Sequence, residues 1–172
     1  DWDLEYQIGQ IEIQVAFSQE LQQTWANVLN VTVDATSVGT STGGDITISH
    51  TTSGSDRLML VGVSMNLNTS ESVTSVTYDS VSATLVGTRT DGDARVAIWA
   101  LVNPNQGNHN VLVTFSGTTD GNTVGVMTFN GVDQTTAVGT FASNSGIGGS
   151  GSVTANSAAG ETVFGVIGVD AP

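Results

Sequence analysis

From residue 28 onward the chain repeats one device: a run rich in Val, Ile, Thr and aromatic side chains, closed by a cluster of Gly, Ser, Asn or Asp. Such runs, bounded by turn formers, predict strands over residues 28–36, 45–51, 57–66, 73–78, 83–88, 94–103, 110–116, 123–131, 152–155 and 162–169. Alternation fixes their faces. Val96, Ile98 and Ala100 point one way and Ala97, Trp99 and Leu101 the other, while Val111, Val113 and Phe115 repeat the two-residue period. A helical period fits only residues 18–29, where Ser18 is placed to cap and Leu21, Trp25 and Val28 share a face. Residues 133–151 are rich in Gly and Ser and read as a long surface loop. The rhythm predicts an all-β, antiparallel sandwich.

The first seventeen residues have a pattern of their own. Trp2, Leu4, Tyr6 and Ile8 alternate with polar positions, and after one extra residue Ile11, Ile13, Val15 and Phe17 alternate again, which predicts a long strand with one bulge. At ~3.3 Å per residue it would extend roughly 53 Å, against a radius of gyration of about 15 Å for the remaining body. One face is apolar and the other carries Gln7, Glu12 and Gln14. A strand of that length and character needs cover for its apolar face and its edge. Another subunit would supply it; folding back on its own sandwich with a bend at Gly9 would also do so. A helix would use Leu4, Ile8, Ile11 and Val15 but strand Trp2, Ile13 and Phe17 on its polar side. The chain therefore divides into an extension, 1–27, and a sandwich domain, 28–172.

Composition narrows the partners. Arg57, Arg89 and Arg95 are the only basic residues against sixteen acidic ones, for a formal net charge of −13. Such a surface repels phosphate backbones and anionic lipid heads, so neither nucleic acid nor membrane is an expected partner. Lysine and cysteine are absent, which removes Schiff-base chemistry, lysine isopeptide cross-links, disulfides and thiolate metal sites. The neutral coat of Ser, Thr, Gly and Asn suits an extracellular surface. The start at Asp1 reads as a processed form or a fragment, with export an inference.

Candidate chemistry is sparse. Asp91 and Asp93 flank Gly92 and could give Ca²⁺ two carboxylates, but that ion takes six or more oxygens and a hairpin turn accounts for the same residues. No other cofactor is indicated. His50 and His109 lack metal-ligand spacing and read as surface histidines. No Gly-x-Ser-x-Gly elbow marks a nucleophile, and no catalytic residue is expected. Trp99 and Tyr78 would form a sugar platform if they faced outward, and core anchors if inward. Asn30 and Asn68 begin glycosylation sequons.

The stretches Ser55 to Ser64, Ser75 to Tyr78, Asp93 to Trp99 with Leu101 to Pro104, and Phe129 to Thr136, in that order, resemble the Ig-like or jelly-roll modules of large secreted and surface proteins of bacteria. The resemblance implies a sandwich with no catalytic residues to transfer. Those modules usually run on for another strand or two, which implies an incomplete sandwich with an apolar slot here. Slot and extension together look like the donor-strand arrangement of pilus subunits, without a cysteine pair or a pilin motif. The expectation is a structural subunit of an extracellular filament, its partner a second copy bound through Trp2, Leu4, Tyr6, Ile8, Ile11, Ile13, Val15 and Phe17. The alternative is a carbohydrate-binding or adhesive module with glycan partners.

Overall fold

The computed structural model describes residues 31–146 and 151–169. The extension, the predicted helix at 18–29 and Asn30 lie outside them. Among the described residues there is no helix, and nine strands form two antiparallel sheets. These are β1 (Thr32–Ser41), β2 (Ile46–Thr52), β3 (Leu58–Asn66), β4 (Val73–Tyr78), β5 (Val81–Ser82), β6 (Thr84–Asp91), β7 (Ala94–Val102), β8 (Gly107–Phe115) and β9 (Gly121–Asn130). One sheet has the order β1-β9-β3-β7-β6 and the other β2-β8-β4-β5. The all-β sandwich expected from the alternation is the fold.

The two-residue period sorts side chains into the layers it predicted. Ala97, Trp99 and Leu101 of β7 and Val111, Val113 and Phe115 of β8 enter the core between the sheets, with Met59, Val61, Val63 and Met65 of β3. Tyr78 and Trp99 are buried there, so they are core anchors and form no outward platform. Each such side chain contributes ~1.5–3 kcal/mol relative to exposure.

Turn chemistry acts where it was read. Asp91-Gly92-Asp93 connects β6 to β7, with Gly92 at φ 56°. The β4–β5 link is a two-residue turn in which Asp79 and Ser80 both take positive φ, 48° and 65°, the type I′ geometry that matches strand twist.

Three expectations need correction. The first described strand spans Thr32–Ser41, running past the predicted end at 36, while residues 28–30 of the predicted run lie outside the described part. Residues 152–155 and 162–169 belong to neither sheet. The described part of 133–151 is no free surface loop: Ala137 and Phe141 pack onto the outer face of the five-stranded sheet, and Phe164 joins them farther along. The physical reason lies in β3, whose residues 58–63 are buried on both faces. Leu58, Leu60, Ala100 and Phe129 form a second apolar layer on that outer face, which residues 132–146 and 151–169 strap over.

Candidate functional site

Two features stand apart from ordinary packing: a polar relay sealed between the sheets, and a groove on the strapped face.

The relay starts from β2, whose buried positions are Ile46, Ile48, His50 and Thr52. His50 thus occupies a core row and is 1% exposed, which overturns the surface reading. Its Nδ1 lies 2.9 Å from Ser37 Oγ and its Nε2 2.7 Å from Thr128 Oγ1. Ser37 donates its own hydrogen to the Ser49 carbonyl at 3.3 Å, so it accepts from Nδ1–H while Thr128 donates to Nε2, a scheme that suits neutral imidazole. Burial pushes the His50 pKa down, and the negative charge of Asp34 opposes this in part. Beside it the Tyr78 hydroxyl donates to the Gly107 carbonyl at 2.8 Å. The Tyr78 ring meets His109 edge-on at 5.5 Å, and His109 Nδ1 lies 3.1 Å from Asp79 Oδ1. His50 and Thr128 are closed off from solvent, so this relay ties β1, β2 and β9 together.

The groove follows from glycines. One register row crosses the five-stranded sheet from Val38 to Gly125, Gly62, Ile98 and Gly87. A glycine inside a strand marks a place where another part of a chain can approach closely. Two of the three are occupied that way: Phe164 and Val166 sit over Gly62, and the Phe141 ring sits over Gly87. Above Gly125 no described residue intrudes, and a Cβ built there meets none of them within 4 Å. The result is a groove of about 330 Å³ with Gly125, Thr123 and Met127 as floor, Thr36 on one side and residues 164–167 on the other.

The wall formed by the last described residues is itself unusual. From Val163 to Val169 inward and outward positions alternate as in a strand, with Phe164, Val166 and Gly168 toward the sheet. The outward positions include Val163, Ile167 and Val169, which are 60%, 85% and 74% exposed. Among the described residues no backbone hydrogen bond ties 162–169 to a strand. The segment is extended and apolar on both faces, yet no described residue pairs with its edges.

A second depression, about 720 Å³ and open, lies where β3 ends, lined by Thr40, Ser41, Asn66, Asn122 and Val169 among others. Asn122 is buried, and among the described residues neither of its amide atoms has a hydrogen-bond partner.

The sequence candidates are scattered. Asp91 and Asp93 sit at the β6–β7 turn, and among the described residues they join no cluster of three or more metal-ligating side chains. Asn68 is exposed in the β3–β4 loop, where its backbone N–H donates to Glu71 Oε2 at 3.0 Å. The eight proposed interface residues, Trp2 to Phe17, lie outside the described part. The buried His50 could have been found from the alternation Ile46, Ile48, His50, and the groove from glycines interrupting β3 and β9. No protein-family model, curated protein or solved structure matches the chain.

Proposed function

We propose that the chain is a structural subunit of an extracellular filament, joined head to tail by insertion of the N-terminal strand of one copy, residues 2–17, into the sandwich of the next. The observation that carries this reading is the strapped face. It ends in an extended segment that shows Val163, Ile167 and Val169 to solvent and leaves its backbone unpaired among the described residues. Apolar surface and free strand edges of this kind call for cover by a further strand. The extension's alternation supplies a strand with one apolar face, and contacts that join different patches of successive copies propagate instead of closing. Relative to the expected slot in the sandwich core, the reading shifts to the outer face, because the groove and the segment whose edges no described residue pairs both lie there. The test is negative-stain microscopy of the full chain beside a version lacking residues 1–17. Filaments from the full chain alone are expected; dispersed particles from both across concentration and Ca²⁺ would overturn the reading.

A second reading, a carbohydrate-binding or adhesive module, draws on the depression around Asn122, whose unpartnered amide suits a neutral polar ligand. It predicts saturable glycan binding by the monomer that Asn122→Ala abolishes.

A further inference from the structure

The filament reading leaves the acceptor unnamed, and the geometry of the strapped face names it. Resting on that reading, we propose that the groove above Gly125 receives residues 11–17 of a second copy of this chain, paired as a strand along the edge of residues 163–169 that no described residue occupies.

Spacing is the first ground. Residues 164–168 lie over β3, since Phe164 and Val166 cover Gly62 and Gly168 meets Ser64 and Val96. The groove lies over β9, the neighbour of β3. Adjacent strands are ~4.8 Å apart, so a chain laid over β9 stands at hydrogen-bonding distance from the segment laid over β3. The N–H and C=O groups of 163–169, which no described strand pairs, then gain partners, and the two segments form a short ribbon over the sheet.

The second ground is fit. Residues 11–17 and 163–169 are equal in length, seven residues each. Ile11, Ile13, Val15 and Phe17 share one face, and the missing Cβ of Gly125 leaves room for one of them as the missing Cβ of Gly62 does for Val166. Rim residues Val38, 71% exposed and opposite Gly125 in register, and Ile167 would be covered at the same time.

Charge is the third. Two copies each carrying −13 approach only through a patch without carboxylates. The groove lining is Thr, Ser, Gly, Val, Met, Phe and Ile throughout. Within residues 11–17 the single charge, Glu12, falls on the polar face, away from the floor. A second copy is favoured over the same copy because the full 2–17 strand would extend ~53 Å while the groove floor runs only from Thr123 to Met127, about 13 Å of β9. The remainder of the strand is free to bridge between bodies.

The absence of cysteine makes the test clean. Full-length chains carrying a single cysteine at 11, 13, 15 or 17 are mixed with differently tagged full-length chains carrying Thr123→Cys, and oxidised. Disulfides between the two tags at one or two of the four positions are expected. In parallel, Gly125→Leu, which fills the groove, and Thr123→Arg, which charges its floor at an exposed position, are assayed for filaments by microscopy and for folding by circular dichroism and melting. Both are expected to stay folded and to raise the assembly threshold at least tenfold. Filaments from folded Gly125→Leu and Thr123→Arg at the native threshold would overturn the acceptor while leaving the filament reading intact. A further set of chains carries both a cysteine at 11, 13, 15 or 17 and Thr123→Cys; disulfides formed only within these chains, and none between the two tags, would mean that the segment folds back on its own body, overturning the second-copy assignment. Failure of the unmodified full chain to assemble at any concentration would remove both.

Discussion

Single side chains set the acid response of this fold. The His50 imidazole is held neutral by burial, its pKa pushed below 6.5, whereas in the unfolded chain it protonates at that ordinary value. Unfolding therefore takes up a proton once the pH drops below about 6.5, and stability falls over that range. Urea midpoints at pH 7.5 and 5.5 should show the loss, and His50→Gln, which keeps hydrogen-bonding atoms but does not titrate there, should flatten it. Glu71 acts in a lower window. Its carboxylate accepts from the backbone N–H of Thr69 and Asn68, both at 3.0 Å, and from the Thr69 hydroxyl at 2.9 Å, closing the β3–β4 loop. These bonds, the Thr69 backbone first, lower its pKa from 4.5 to about 2. The stability they confer is whole above pH 4.5 and lost as the pH falls toward 2, a limb that Glu71→Gln should weaken. At the β4–β5 turn Ser80 holds φ 65°, a conformation in which a Cβ is strained. Ser80→Gly should raise stability by ~0.5–1 kcal/mol, read as a higher melting temperature.

Among elements, the strap is the one whose role differs most from its sequence pattern. Residues 162–169 alternate like a strand and are extended, yet they lie across β3 in the middle of a sheet whose edges are β1 and β6, so they cover a face instead of lengthening a ladder. What holds them is the match of Phe164 and Val166 to the gap above Gly62. Gly62→Val places side-chain atoms where Val166 and Phe164 now sit. The expected result is roughly tenfold faster proteolysis within 151–169 with the inner core intact, since the strap can open without global unfolding. Phe164→Ala should cost about 1–3 kcal/mol, less than a fully buried phenylalanine, because the ring is only partly enclosed.

For the whole molecule, charge governs association. A net −13 on a body with three arginines opposes contact between copies at every orientation. Screening shortens the reach of that repulsion from ~30 Å at 0.01 M salt to ~3 Å at 1 M, while apolar contact in the groove is strengthened or unchanged. Assembly should therefore set in at lower protein concentration as NaCl is raised, measured by light scattering. A threshold that rises with salt would point to a joint held by ion pairs.

Much of this architecture was legible along the chain, because a period of two can be read wherever one face is buried and the other wet. Eight predicted runs became strands of the two sheets, and alternation alone separated the sets of β7 and β8 that the structure then divides between core and outer face. Acidity and the lack of lysine and cysteine likewise belong to the sequence. Alternation reports that a side chain faces one side but not what it meets there: the row Ile46, Ile48, His50 marks His50 as inward, whereas its partners Ser37 and Thr128 came only with the placement of β1 and β9. It also cannot separate a strand in a ladder from an extended segment laid across a sheet, since both bury every second residue; the strap was settled by the doubly buried β3 beneath it. The same holds for Gly62 and Gly125, adjacent in register though 63 residues apart along the chain, of which tertiary packing covers one and leaves the other open.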